Sequence, residues 1–306
     1  MSSELLASGV DNLKGHLAGA FNVLTGSSGD YTDLGIGRKF GGAAAAYSLR
    51  DIGAMNGPVV RVRRDSDNAE RDFSALAISF IADFVGSGNN GFVETWYDQS
   101  GNGRDITNTT ASEQPKIVSS GALVTATNNL PAIDFTTSLT RLARTEFLTG
   151  QLSTYFSIYQ GEAGDSSESQ VVFRQGASYR LNNAIQTSGK IRAQIRDGGG
   201  DAVNLDAGGD LATGSPLLQT TLIGARGANG LTIFVNGANE ANADTSDVED
   251  TDFAAADSGD FAIGGVYNSN SFDFVGKGQE FIFYHSNLSS DRTVIESNIN
   301  NHYSIF

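Results

Sequence analysis

Three histidines, His16, His285 and His302, and no cysteine make up the whole imidazole and thiol stock of this 306-residue sequence. That excludes a thiol nucleophile, a disulfide framework and any Cys-ligated zinc or iron–sulfur centre. The histidines are too few and too scattered for a His-rich metal site. Serine, histidine and aspartate all occur, yet no Gly-x-Ser-x-Gly elbow does, and His285 follows Tyr284 at the end of a predicted strand. Gly35–Gly42 (GIGRKFGG) has the wrong order for a phosphate cradle. Carboxylates remain. Asp201, Asp206 and Asp210, and the acidic run Asp244–Asp252, offer the hard oxygen ligands that calcium prefers. The same residues read as solvated hairpin loops, and the Gly-Gly-x-Gly-x-Asp nonapeptide of calcium β-rolls is not repeated. No metal is therefore assigned, and calcium is the one cofactor considered. The single tryptophan, Trp96, could stack on a sugar if its strand turns it outward, or fill the core if inward. Arg61 and Arg63 share a face opposite Val60 and Val62. They are expected to pair with Asp65, Asp67 or Glu70, at about 0–1 kcal/mol per surface pair.

The charge balance is 20 Lys+Arg against 35 Asp+Glu, a net −15, which repels phosphate backbones and anionic lipid. Nucleic acid and membrane surfaces are not expected partners. Glu4 stands where an export signal carries positive charge, and no run approaches the roughly 20 apolar residues of a membrane span. The expectation is a chain made in the cytoplasm. Leu6, Val10, Leu13, Leu17, Ala20 and Leu24 are spaced 4, 3, 4, 3 and 4, the seam of a coiled coil, which predicts a self-associating or docking helix. Gly9, Gly15 and Gly19 weaken it by about 1 kcal/mol each, and one amphipathic helix lying on its own domain is the plain alternative. Residues 26–42, punctuated by Gly, Ser and Asp, read as a linker. This divides the chain into an attachment segment, 1–42, and a larger domain, 43–306.

Within that domain short apolar runs alternate with turn chemistry: Ala44–Leu49, Val59–Val62, Phe92–Tyr97, Ala132–Phe135, Tyr155–Tyr159, Val171–Phe173, Leu222–Ala225, Leu231–Val235, Phe261–Ile263 and Glu280–Tyr284. These are strand lengths. Two helical stretches interrupt them, Ser74–Val85 and the segment after Leu288. In the latter, Ser289 or Ser290 is the expected cap, and Ile295, Ile299 and Tyr303 form one face that would seal a sandwich edge. So many short strands without βαβ alternation predict an all-β fold of two packed antiparallel sheets.

Gly91–Asp105 (GFVETWYDQSGNGRD), with Ala45–Ile52, Val60–Glu70 and Gln114–Val118, resembles the catalytic-domain family of the α-L-arabinofuranosidase B enzymes. The order Pro131–Phe135, Leu231–Gly237, Phe261–Gly265 and Gly278–Arg292 is similar to the wider concanavalin A-like, laminin-G-like group. The resemblance covers residues 43–306 and implies a jelly-roll sandwich. In its enzymatic members it implies retaining hydrolysis by two carboxyl groups about 5–5.5 Å apart. The family's acid/base aspartate follows an Ile-Gly-Gly run; after Ile263-Gly264-Gly265 this chain has Val266, which carries no proton. The nucleophile's strand aligns with Lys190–Gly198, where Arg196 or Asp197 takes its place. The disulfides of those enzymes are absent.

The resulting expectation is not an enzyme. It is a phage virion structural protein, a capsid decoration, head-fibre or tail-fibre adhesin assembled in the host cytoplasm. Its partners would be other virion proteins, further copies of itself in a trimer, and cell-surface glycans. The residues expected to contact a glycan are Arg196, Asp197, Trp96 and Tyr267. The alternative is an arabinofuranosidase-type glycoside hydrolase using Asp197 with Glu168, Asp260 or Glu280 as acid.

Overall fold

Side-chain alternation decides which face each strand buries. In Ile191–Arg196 both isoleucines and Ala193 are buried while Arg192, Gln194 and Arg196 stay partly exposed. The computed structural model describes residues 41–53, 57–137, 139–149, 152–162, 170–176, 181–197, 200–207, 214–248, 260–266 and 272–306. The expected N-terminal helix lies outside them. In chain order the strands are β1 (Ala45–Ser48), β2 (Pro58–Arg64), β3 (Glu70–Ser74), β4 (Gly91–Trp96), β5 (Ile106–Thr107), β6 (Lys116–Ser119), β7 (Ala122–Leu123), β8 (Ile133–Asp134), β9 (Leu142–Thr145) and β10 (Ser153–Gly161). They continue as β11 (Gln170–Gln175), β12 (Leu181–Ile185), β13 (Ile191–Arg196), β14 (Ala202–Asp206), β15 (Leu217–Ile223), β16 (Leu231–Val235), β17 (Ala238–Ala243), β18 (Asp260–Ile263) and β19 (Gly276–Tyr284). Helix α1 (Ile81–Val85) follows a 3-10 turn at Ala75–Phe80, and α2 (Arg292–Tyr303) closes the chain.

The fold is all-β, with two antiparallel layers. One sheet runs β14-β13-β12-β11-β18-β9-β5-β4-β2-β3. The other runs β17-β16-β15-β10-β19-β1. Strands β8 and β6 link them at one corner. Between the layers an aromatic core meets edge to face: Phe173 and Phe261 lie 5.0 and 5.1 Å from Phe283, and Trp96 lies 5.8 Å from Phe281. Such ring pairs contribute about 0.5–1.5 kcal/mol beyond area burial.

In the second sheet, strands β15, β10 and β19 are buried on both faces. Along β10, Tyr155 and Tyr159 point into the inter-sheet core while Phe156 and Ile158 point the other way, under α2. This is why Tyr155–Tyr159 reads as a continuous apolar run. Ile295, Ile299 and Tyr303 do form one face, but they cover the outer face of this sheet against Phe156, Ile158, Leu218, Ile282 and Tyr284, rather than sealing an edge. Asp291, not Ser289 or Ser290, takes the N-cap position, and its side chain makes no capping hydrogen bond.

Strands β3, β14 and β17 have no counterpart among the apolar runs, because each borders a sheet, is mostly exposed and carries polar residues, as edge strands do. Strand β12 (LNNAI) is central and buried, and its two asparagines mask it.

Candidate functional site

The motif that carries the family resemblance turns out to be a structural clasp. Asp98 Oδ1 accepts from the Ala46 and Ser100 amides at 2.9 Å each, and Oδ2 accepts from the Arg104 amide (2.9 Å) and the Ser100 hydroxyl (2.8 Å). Asn102 Nδ2 donates to the Ala43 and Ala44 carbonyls at 2.9 and 3.0 Å. The loop thereby satisfies its own backbone and pins the start of β1. Its polar residues are spent on the fold.

Of the residues expected to meet a glycan, the described ones are not gathered together. Trp96 is fully buried against Tyr47 and Phe281, which corrects the sugar-stacking expectation: β4 turns it inward, where no ligand reaches it. Asp197 is buried, and its Oδ1 accepts from the Gly200 and Asp201 amides at 2.8 and 2.9 Å, closing the β13–β14 turn. Arg196 Nε donates to the Gly200 carbonyl of the same turn at 3.1 Å. Tyr267 and Glu168 lie outside the described residues. Val266 is buried just beyond β18.

Glu280 cannot serve as an exposed acid. It is fully buried under α2, where Arg50 Nε and Nη2 donate to Oε2 and Oε1 at 2.7 and 2.9 Å, and Ser48 Oγ donates to Oε2 at 2.7 Å. Asp260 sits three strands from β13, whose end carries Asp197, about 14 Å at the usual strand spacing. That is wider than a retaining pair, and Asp197 is folded back on its own turn. Among the described residues no group of three or more Asp, Glu or His is placed to hold a metal ion.

Among the described residues no helix lies over the outer face of the first sheet, although its Thr95, Arg174, Asn182 and Ala262 are themselves buried. In register across it stand Asn204, Gln194, Asn182, Arg174, Ala262, Ala143, Thr107, Thr95, Arg61 and Asp72, one outward side chain per strand. Where the row carries small residues a pocket of about 440 Å³ opens. Thr107 and Ala143 form its floor. Arg141 and Glu113 wall one end, with Nη2 to Oε2 at 2.9 Å, and Thr145 and Asp260, paired in register, wall the other. Asn108, Thr109, Thr110 and Arg144 complete the lining. Arg141 is itself buried, and its Nη1 has no hydrogen-bond partner, a donor whose desolvation a further oxygen would offset by about 1–3 kcal/mol. The lining offers hydroxyls, carboxylates and guanidinium groups with balanced charge, which is what a ligand rich in hydroxyls needs.

Of these residues only Asp260 figured among the sequence candidates. Thr107, Glu113, Arg141 and Thr145 come from four separate places in the chain, and no local spacing announces them. One signal was present: Thr95 must face opposite Trp96 on β4.

No family model matches the sequence, and no curated protein matches it. Solved structures do. A GH54 α-L-arabinofuranosidase variant soaked with 4-nitrophenyl α-L-arabinofuranoside is similar with a TM-score of 0.52 at 14% identity, over 84% of this chain and 62% of that one. An arabinofuranosidase complexed with arabinofuranosyl-α-1,2-xylobiose gives 0.50 at 14% identity over the same shares. The binding domain of botulinum neurotoxin serotype D gives 0.49 at 11% identity, over 81% of this chain and 52% of that one. The chain thus spans about 62% of the arabinofuranosidases' length, and what the likeness establishes is the sandwich.

Proposed function

We propose that the sandwich is a glycan-binding module without glycosidase chemistry, and that residues 1–42 attach it, as an oligomer, to a phage virion. The observation that carries the binding reading is the pocket on the outer face of the first sheet, with Arg141 and Glu113 at one end and Asp260 and Thr145 at the other. The non-catalytic reading is supported by Val266 in the Ile-Gly-Gly context and by Asp197 being spent on its own turn. Display on a virion rests on the helix–linker–sandwich order of the sequence and on the missing catalytic acid. An oligomeric anchor has a physical purpose there, since linked weak sites gain avidity through local concentration.

Binding is tested on a glycan array with the full chain, Arg141→Ala and Ala143→Leu. The first removes a charge-assisted donor and the second fills the pocket floor. Each is expected to weaken binding at least about tenfold, the equivalent of one such bond. A chain that binds no glycan, or variants that bind undiminished, would overturn the assignment. Turnover of nitrophenyl arabinofuranoside that vanishes in Asp197→Asn would replace it with the hydrolase reading.

The anchor is tested separately by light scattering. The full chain is expected to be an oligomer and a chain lacking residues 1–40 a monomer. A monomeric full chain would remove the attachment role.

A further inference from the structure

Tyr97 follows Trp96 and therefore faces outward, one residue past the end of β4. Its hydroxyl donates to Asp72 Oδ1 at 2.9 Å. Asp72 belongs to β3, and the order β4-β2-β3 puts a whole strand between the two residues. To reach it, the tyrosine side chain must lie across β2, along the sheet instead of standing off it. Arg61 of β2 locks the acceptor in place with a fork to Asp72, Nε to Oδ1 at 2.7 Å and Nη2 to Oδ2 at 3.0 Å. Burial, and then the hydrogen bond to Asp72, pushes the Tyr97 phenol up to about 12, so it stays a donor at neutral pH. A partly exposed aromatic ring is thus held flat on the open sheet at its polar tip.

The ring is aligned with the pocket. Thr95 pairs with Thr107, and Thr107 with Ala143, so two residues further along the same ladders Tyr97 falls in line with Asp105, Thr145 and Asp260. From β2, over which the ring lies, to β18 the strip crosses four strand spacings, about 19 Å. One end is an aromatic platform and the other is the carboxylate end of the pocket.

We propose that Tyr97 is a second subsite, a stacking platform, and that the open face binds an extended oligosaccharide chain laid across the strands, not a single terminal sugar. This rests on the glycan-binding reading and specifies its ligand. Separation of the two contacts is what demands length: a monosaccharide in the pocket cannot touch the ring, whereas a chain engages both. The tether to Asp72 means that the platform is ordered before the ligand arrives, which spares the entropy of fixing it on binding.

The test is titration of the full chain with mono- to hexasaccharides of the glycan class that the array identifies, using Tyr97→Ala and Tyr97→Phe. In the unaltered chain, affinity is expected to rise about tenfold or more from monosaccharide to hexasaccharide. Tyr97→Ala should abolish that rise while leaving the monosaccharide unchanged, and Tyr97→Phe, which keeps the ring but not its tether, should fall between. Affinity that does not depend on length, or a Tyr97→Ala chain equally weakened at every length while its thermal melting is unaltered, would refute the platform and leave the pocket standing. Should Tyr97→Ala lower the melting temperature, Tyr97→Phe decides: a length profile weaker than that of the unaltered chain upholds a tethered platform, and one identical to the unaltered chain refutes the tether. Absence of binding at any length would end both readings together.

Discussion

Arg50→Ala is expected to destabilise the sandwich by about 3–5 kcal/mol, the usual cost of stranding one partner of a buried ion pair. Glu280 lies in the middle of the helix-covered sheet, fully buried, with Arg50 forked onto both of its oxygens and Ser48 and the Tyr303 hydroxyl completing its shell. Removing the guanidinium leaves a carboxylate between β19 and α2 with two neutral donors only. Burial and the Glu280 charge hold the Tyr303 phenol well above its usual range, so it remains a donor and does not compete for the charge. Urea denaturation of Arg50→Ala, Glu280→Leu and the double variant measures the effect. The double variant should recover a good part of the loss, because replacing both partners removes the uncompensated charge. A single variant within about 1 kcal/mol of the unaltered chain would mean that the pair is solvated, contrary to its burial.

Gly264→Ala has an expected cost of similar size, about 3–5 kcal/mol, summed from two sources. Its φ of +101° lies where a side chain is strained, and an added Cβ would overlap the Phe135 ring and approach the Thr140 carbonyl at 2.7 Å. Gly200→Ala is the control. Its φ is +105°, with nothing within 4 Å of an added Cβ, so only the backbone term of about 1–2 kcal/mol should appear. Comparing the two melting curves isolates the packing term, and equal losses would show that Phe135 yields freely. The result bears on how the Ile-Gly-Gly run is understood. The glycine after β18 is required by its contact with the core, so the run persists on packing grounds whether or not the residue that follows can carry a proton.

The likeness to the arabinofuranosidase family rests on residues that build the fold. Asp98, Asn102 and Gly264, which carry the likeness, all hold backbone or core in place. The residues that line the pocket do not recur in any short motif. Thr107, Glu113, Arg141, Thr145 and Asp260 are brought together by the pairing β5–β9 and β9–β18, contacts that span up to 121 positions of the chain. Trp96 and Tyr97 illustrate the limit at the scale of one residue. Alternation required that they point to opposite faces, yet which face was core depended on the second sheet, with Phe281 waiting on β19 to receive the indole.

Read alone, the amino-acid order was enough for the strand-rich class, the period-two faces, the self-bonded loop after β4, the C-terminal helix with Ile295, Ile299 and Tyr303 on one side, and the valine beyond Ile-Gly-Gly. All of these follow from local chemistry, since propensity, alternation and turn residues act over a few positions. Which sheet face α2 covers, where small residues on the other sheet open a pocket, and that Glu280 is buried against Arg50 were settled by long-range strand pairing and by the docking of α2. Those depend on register between distant segments, and register is a property of packed layers rather than of any one of them.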